Sequence, residues 1–158
     1  MPSLPDIAQA DAAELARKAA SRGDGRHAPA PDADQDAFFE FLLRMGDTTL
    51  ILGHRDSEWC GHSPALEEDI ALANLALDLI GQTQMWLGLA GEVEGKGRTA
   101  DDLAYLRDAW DFRNLLLVER PNGDFGHTLM RHFLFDVFHL QMLEALMASS
   151  DPRVAEIA

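Results

Sequence analysis

SEWCGHSPALEEDIALANLALDLIGQ, residues 57–82, is the stretch that decides the fold: a Cys/Gly/His/Pro elbow that leads into a long amphipathic helix. Ser63 is a suitable N-cap, and Pro64 suits a first helical turn because its ring fixes φ and its missing N–H would be unpaired there anyway. Carboxylates that complement the positive end of the helix dipole follow at residues 67–69. We therefore predict a helix from Ala65 to Ala90.

Apolar residues cover well over half of this predicted helix. One stripe recurs at spacings of four and three, comprising Leu66, Ile70, Ala73, Leu77, Ile80, Gln84 and Leu87. The stripe is widened by Leu72, Leu75, Leu79 and Trp86, and the polar remainder is Glu67, Asn74, Asp78 and Gln82. A helix of this kind needs cover on several sides, so other helices are expected to pack around it.

Two more long helices are predicted. The first runs from Ala37 to His54 with Asp36 as its N-cap, and its core face carries Phe38, Leu42, Met45, Thr49 and Leu52, with Glu40 and Asp47 on the polar side. The second runs from Asp124 to Met147, with Leu129, Phe133, Leu140, Leu143 and Met147 on one face. Short helices are expected near Asp101–Asp108, capped by Thr99, and at Arg153–Ala158. No stretch has a convincing strand pattern, so the fold class is all-α.

The chain divides near residue 35. Residues 1–35 are interpreted as a flexible N-terminal extension, since Arg22–Asp36 is rich in Gly, Pro, Ala and Asp. Residues 36–158 are predicted to form the helical domain. A four-helix bundle needs four long helices, whereas this chain supplies three, so the fourth is expected to be missing or truncated. We expect the chain alone to be poorly stable or to self-associate.

Charge and composition exclude several classes of partner. The 13 Lys and Arg residues face 27 Asp and Glu, giving a formal net charge of -14, and such a surface repels nucleic-acid phosphates and anionic lipid. No run is long and apolar enough to span a bilayer, and the start lacks the pattern of a signal peptide. A single cysteine, Cys60, excludes an internal disulfide framework. The predicted location is the cytoplasm.

A helical bundle raises the question of a carboxylate-bridged di-iron centre. Such a centre takes Glu from two helices and Glu-x-x-His from the other two. Neither core stripe of the first long helix contains a carboxylate, and three residues after Glu67 and Glu68 stand Ile70 and Ala71 rather than His. We therefore predict no metal ligand and no catalytic residue on this chain.

The third long helix offers one alternative. His132, Asp136 and His139 lie at i, i+4 and i+7, and Asp136-x-x-His139 has ligand spacing. They could form half of a metal site, which would make the chain a ferritin-like metalloprotein. The other interpretation is a partly buried Asp136 paired with its helical neighbours, since a buried charge persists when it is paired.

Cys60 has Glu58, His62 and His54 nearby in sequence. A thiolate with a histidine base is one interpretation, and a small buried hydrophobe is the other. The loop at residues 94–98 (EGKGR) and the turn at Pro121–Gly123 offer glycines and cations but match no phosphate-binding motif. The residues alone thus predict a helical bundle without a complete catalytic set.

Three long motifs carry a resemblance to a known family. They are residues 57–82, residues 91–108 (GEVEGKGRTADDLAYLRD) and residues 112–125 (FRNLLLVERPNGDF). Together, and in this order, they resemble the C-subunit family of bacterial phenylacetyl-CoA epoxidases (ring 1,2-epoxidases), ferritin-like proteins of phenylacetate degradation. The resemblance covers about Phe38 to Ala158.

The resemblance implies a non-catalytic structural subunit within an oxidoreductase complex. In that family's enzyme, a related A subunit holds the di-iron centre and epoxidises the aromatic ring with dioxygen and electrons from a reductase. The implied partner is this A subunit in a hetero-oligomer, with at most indirect contact with an acyl-CoA substrate, and no cofactor is expected on this chain. A generic helical interaction module is the remaining alternative.

Overall fold

The computed structural model describes residues 31–158, which contain helices and no strand. The prediction of an all-α fold is confirmed. The elements are α1 (Pro31–Ser57), α2 (Leu66–Glu94), α3 (Ala100–Tyr105), a 3₁₀ turn (Ala109–Asp111), α4 (Leu116–Glu119), α5 (Phe125–Leu146) and α6 (Pro152–Ile157). No helix in these residues is long and apolar enough to cross a membrane. Most of the predicted N-terminal extension, residues 1–30, lies outside the described residues.

α1 begins earlier than its apolar pattern predicts. The chain is already helical at Pro31, the first described residue, so residues 31–36 are helical rather than linker, and Asp36 is not the N-cap. The compact unit that contains the long helices extends from Gln35 to Ala158.

α2 begins within one residue of its predicted start at Ala65, but its N-cap and its C-terminal end differ from the prediction. Its N-cap is Ala65, without a side-chain hydrogen bond, so the assignment of Ser63 and Pro64 to the helix start is wrong. The elbow is instead tied to the first turn by Asp69, whose Oδ1 accepts the N–H of Gly61 at 2.9 Å. The helix runs past the predicted end at Ala90 to Glu94, where Gly95 takes a left-handed conformation with φ 69° and closes the helix.

α1, rather than α2, is the central helix of this unit. Its middle is buried on almost every side, comprising Leu42, Leu43, Met45–Leu50, Leu52 and Gly53. α2 packs against it through Leu79, Trp86 and Leu87, which are all buried. Between the two helices, the hydroxyls of Thr49 and Thr83 lie 2.8 Å apart in a hydrogen bond. The predicted core face of α1 is confirmed. The buried side of α2 carries Leu72, Leu79 and Trp86, which the prediction placed beside the main apolar stripe rather than within it.

The predicted α2 stripe is largely exposed. Leu66, Ile70 and Leu77 are 70%, 55% and 66% exposed. α5 shows the same reversal, since its buried residues are Thr128, Arg131, His132, Phe135 and His139. The predicted core residues Leu129, Phe133, Leu140 and Met147 of α5 are exposed. Apolar residues occupy most of the circumference of α2 and α5, so the apolar pattern does not single out one side of either helix. In α5 the buried side is the one whose histidines contact polar side chains of α1 and α2.

A buried ion pair attaches the segment after α3 to α1. The carboxylate of Asp47 is fully buried, which corrects its predicted position on a polar face, and it pairs with both Nη atoms of Arg107. The same carboxylate accepts the backbone N–H of Arg113 at 2.8 Å, and Thr48 Oγ1 accepts the N–H of Leu115 at 3.2 Å. α3 itself begins with a capping box between Thr99 and Asp102, which confirms the predicted cap.

Gly91 is expected to be the least substitutable glycine of α2. A Cβ there would overlap the backbone carbonyl oxygen of Arg98, and a backbone group cannot move aside as a side chain can. We expect Gly91→Ala to lower the free energy of unfolding by about 1–3 kcal/mol. Gly81→Ala is the matched control, since a Cβ at this exposed position meets nothing within 4 Å and should add about 0.5–1 kcal/mol of helix stability. Urea unfolding of both variants checks the opposite signs, and equal effects would contradict this account.

Candidate functional site

A histidine held between two carboxylates is the main polar feature of the inward side of α5. His132 Nδ1 lies 2.9 Å from Asp56 Oδ2 on α1, and its Nε2 lies 3.2 Å from Asp136 Oδ2, one turn further along α5. His132 and Asp56 are buried, whereas the Asp136 side chain is 55% exposed. Both ring nitrogens lie within ion-pair distance of a carboxylate oxygen, although neither N–H is aligned for a hydrogen bond. The two nearby negative charges favour the cationic ring.

The pKa values follow from this arrangement. Burial lowers the pKa of His132, but the close contact with the Asp56 carboxylate, together with the charge of Asp136, outweighs it and raises the pKa above its ordinary value. Burial raises the pKa of Asp136, although the charge of His132 opposes the change. The second buried cation nearby, Arg131, lies 3.7 Å from Asp56. One carboxylate is thus surrounded by two cationic groups, an arrangement that lets a buried charge persist.

His139 makes its contact with a different helix. Its Nε2 lies 2.8 Å from Oε1 of Gln82 on α2, and its ring stacks on Phe135 with centroids 4.7 Å apart. Burial lowers the pKa of His139, which favours the neutral ring. With Gln82 Oε1 as the acceptor, Nε2 carries the proton and Nδ1 is a bare acceptor without a partner.

This side-chain set does not fit a di-iron centre. His132 has no ring nitrogen free of a carboxylate, whereas a metal ligand must be a neutral imidazole with a lone pair directed at the ion. His139 faces the amide of Gln82, where a bridging centre needs a carboxylate. In the described part of the chain, no three His, Cys, Asp or Glu side chains are placed to hold a metal ion together.

The predicted trio of α5 is therefore divided. The structure brings His132 and Asp136 together, in agreement with an aspartate paired with its helical neighbour, and directs His139 to Gln82. Sequence reasoning missed Asp56, which stands at the end of α1 where the apolar pattern fades. The only indication in the sequence was a carboxylate directly before the predicted elbow. Asp56 contacts His132 because α5 packs on α1.

The elbow around Cys60 is organised by backbone contacts rather than by thiol chemistry. Cys60 is exposed, and His62 Nδ1 lies 3.0 Å from the backbone oxygen of Cys60. Glu58 accepts hydrogen bonds from Arg55 and from Asn122. No contact in the elbow pairs the thiol with an imidazole, so the geometry does not support the interpretation of a thiolate with a histidine base. The exposure of Cys60 also contradicts the other interpretation, a small buried hydrophobe.

The turn after α4 connects the elbow to α5 through its Asn122. The side chain of Asn122 donates to the backbone oxygen of Arg55 at 2.9 Å and accepts from Arg131 Nη2 at 2.7 Å. Trp59 Nε1 donates to Thr128 Oγ1 at 2.9 Å, which fixes the elbow on the first turn of α5.

The two cations of the loop at residues 94–98 are paired within the loop, because Lys96 and Arg98 both contact the carboxylate of Glu94. The turn after α4 and this loop are structural connections.

The His132 cluster makes the stability of the domain depend on pH. Because the pKa of His132 is raised in the folded state, its contribution to stability is complete below the unfolded value of about 6.5 and is lost as the pH rises through the folded value. We expect His132→Gln to cost most stability at pH 5.5 and progressively less towards pH 9. Urea unfolding across this range measures the loss, with His62→Gln as the exposed control. A loss that stays constant or grows with pH would contradict the ion pairing.

Comparison with known proteins gives two findings. A sequence profile of the phenylacetic acid catabolic protein family matches residues 25–158. The chain is also 48% identical over 118 residues to the C subunit of 1,2-phenylacetyl-CoA epoxidase from Escherichia coli strain K12. That match covers 75% of this chain and 47% of the relative, so the chain spans about half the length of the curated relative it matches.

Proposed function

The chain belongs to the phenylacetic acid catabolic protein family, a ferritin-like helical family, and from this premise we propose that it is a non-catalytic structural subunit of a phenylacetyl-CoA epoxidase. The proposed partner is the catalytic A subunit, which would hold the di-iron centre. The similarity to a protein named as the C subunit of such an enzyme supports a hetero-oligomeric setting.

The exposed apolar side of α5 is the observation that carries this proposal. Its outer face, defined here as Leu129, Phe133, Val137 and Leu140, is 45–60% exposed at each residue. Asp136 lies between these residues in a groove that Phe133, Val137 and Leu140 help to line. Large contiguous apolar patches with a polar element mark protein-binding surfaces on soluble proteins.

The polar cluster supports a structural role for the same helix. His132 and Arg131 hold the inner side of α5 against Asp56 of α1, so the helix is fixed at the level of the groove. A binding surface on a helix held in this way needs little ordering when a partner docks, which lowers the entropic cost of association. The chemistry of the cluster is consistent with positioning a helix rather than with activating dioxygen.

Reconstitution tests the proposal. The A subunit and its reductase are assayed for epoxidation of phenylacetyl-CoA with and without this chain, and the chain is also assayed with the reductase alone. We expect the chain to raise the rate of the A subunit and to give no product without it. Product formed by this chain and the reductase alone would overturn the non-catalytic role, and an unchanged rate of the A subunit would overturn the subunit role.

A further inference from the structure

A cavity of about 180 Å³ lies between α1 and α5. Leu115, from the segment before α4, closes one side of it. The apolar side chains of its wall are Phe41, Met45, Leu115, Phe135, Phe138 and Met142. The cavity opens to solvent beside Phe138 and Leu115, which are 49% and 38% exposed, and it reaches inward to the fully buried Phe135.

The wall has few polar groups that could bind water, and its side chains are suited to contact with an aromatic ring. Water needs several polar partners to occupy a cavity, and an apolar cavity of about 150 Å³ remains dry and takes up benzene. Three of the wall side chains are phenylalanines, which favour edge-to-face or offset contacts with another ring, and two are methionines, whose sulfur contacts rings favourably.

Three polar side chains contribute to this wall. Thr48 is 5% exposed and its hydroxyl is occupied, since it donates to the backbone oxygen of Arg44 at 2.6 Å and accepts the N–H of Leu115 at 3.2 Å. The imidazole of His139 lines the cavity and is 7% exposed, and its Nδ1 has no hydrogen-bond partner. Arg44 also contributes to the wall, but its guanidinium is mostly exposed and pairs with Glu40 at 2.9 Å. The buried part of the cavity is therefore apolar with one unpaired acceptor, and the charged group lies towards solvent.

We propose that this cavity is a binding site for the single six-membered ring of a small aromatic compound. The ring fills the space among the phenylalanine and methionine side chains, and a polar substituent points towards the solvent side where Arg44 stands. The inference rests on the cavity and does not depend on the proposed subunit role, since a structural subunit needs no ligand pocket of its own.

Methionine methyl signals test the site on the full 158-residue chain. Toluene is the probe, and the shifts of ¹³C-labelled methionine methyl groups are followed during its titration. Met45 and Met142 line the cavity, whereas Met130 and Met147 are 57% and 64% exposed elsewhere on or beside α5. We expect saturable shifts at the first pair and none at the second. No shift at Met45 and Met142 up to the solubility limit, or a linear drift of all four, would overturn the proposal.

Neighbouring leucines provide matched variants. Leu115→Trp fills the cavity from its wall, whereas Leu116→Trp makes the same change at a side chain that is 78% exposed. We expect Leu115→Trp to abolish the saturable shift of Met142 and Leu116→Trp to retain it. Met142→Trp, followed at Met45, repeats the test if Leu115→Trp does not fold. Toluene binding that persists in the folded, filled variants would overturn the assignment.

Discussion

Replacing Asp47 with asparagine is expected to lower the free energy of unfolding by about 3–5 kcal/mol. The carboxylate is fully buried and pairs with Arg107, which is itself 5% exposed. An asparagine keeps the size of the side chain and one acceptor but removes the charge, so the guanidinium is left buried and uncompensated. Since domains of this kind are stable by only about 5–15 kcal/mol, such a loss would remove a large part of the stability of the fold.

Glu40→Gln is the matched control for Asp47→Asn. Glu40 lies on the same helix and also accepts from two arginines, Arg44 and Arg113, but its side chain is 37% exposed. Exposed ion pairs contribute about 0–1 kcal/mol, so this variant should remain close to the wild type. Chemical unfolding of both variants gives the comparison. Equal losses for the two variants, or a loss below about 1 kcal/mol for Asp47→Asn, would show that the buried pair does not hold the segment after α3.

The second large effect concerns association. We expect Phe133→Gln combined with Leu140→Gln to weaken binding to the A subunit by about 30-fold to 1000-fold, because central apolar anchors of an interface contribute about 2–4 kcal/mol. Both side chains are about 60% exposed in the isolated unit, so their replacement removes contacts with a partner and few contacts within the fold. Titration calorimetry or surface plasmon resonance measures the change.

Leu106→Gln provides the control for this pair of changes. Leu106 is 77% exposed at the end of α3 and is not part of the outer face of α5, so its replacement should leave affinity unchanged. The thermal unfolding of all variants should match that of the wild type within a few degrees. A loss of affinity in Leu106→Gln with normal binding by the α5 variant would show that the interface lies on another surface.

The helices could be predicted from the sequence because their apolar repeats are long. Thr99 and Asp102 could be assigned as a cap for a related reason, since a capping box is a local pattern. The start of α2 at Leu66 lies within one residue of the prediction, whereas the helical segment at residues 31–36 was missed because it carries no apolar repeat. The N-cap of α2 is Ala65, which makes no side-chain hydrogen bond, so the predicted cap Ser63 is not used.

The inward faces of α2 and α5 could not be predicted. Apolar residues surround most of each helix, so periodicity alone does not select one side. For α5 the selection comes from contacts that are distant in sequence, between His132 and Asp56 and between His139 and Gln82. Asp47 is missed for the same reason, because its partner Arg107 lies 60 residues away.

The α5 residues of the candidate site were recognised from the sequence as one alternative, but their arrangement was not. His132, Asp136 and His139 share a helical face by spacing alone, which makes them look like potential ligands. The role of each histidine is instead determined by the side chain that faces it from a neighbouring helix. His132 faces the carboxylate of Asp56, and His139 faces the amide of Gln82. Spacing on one helix indicates proximity, whereas the function of a site depends on the facing side chains.

Co-purification of this chain with the catalytic A subunit, with metal measured on each chain after separation, tests the central claim most directly. We expect a stable complex with iron on the A subunit and none on this chain. Failure to form a complex, or iron that remains with this chain when it is isolated, would contradict the assignment of a non-catalytic structural subunit.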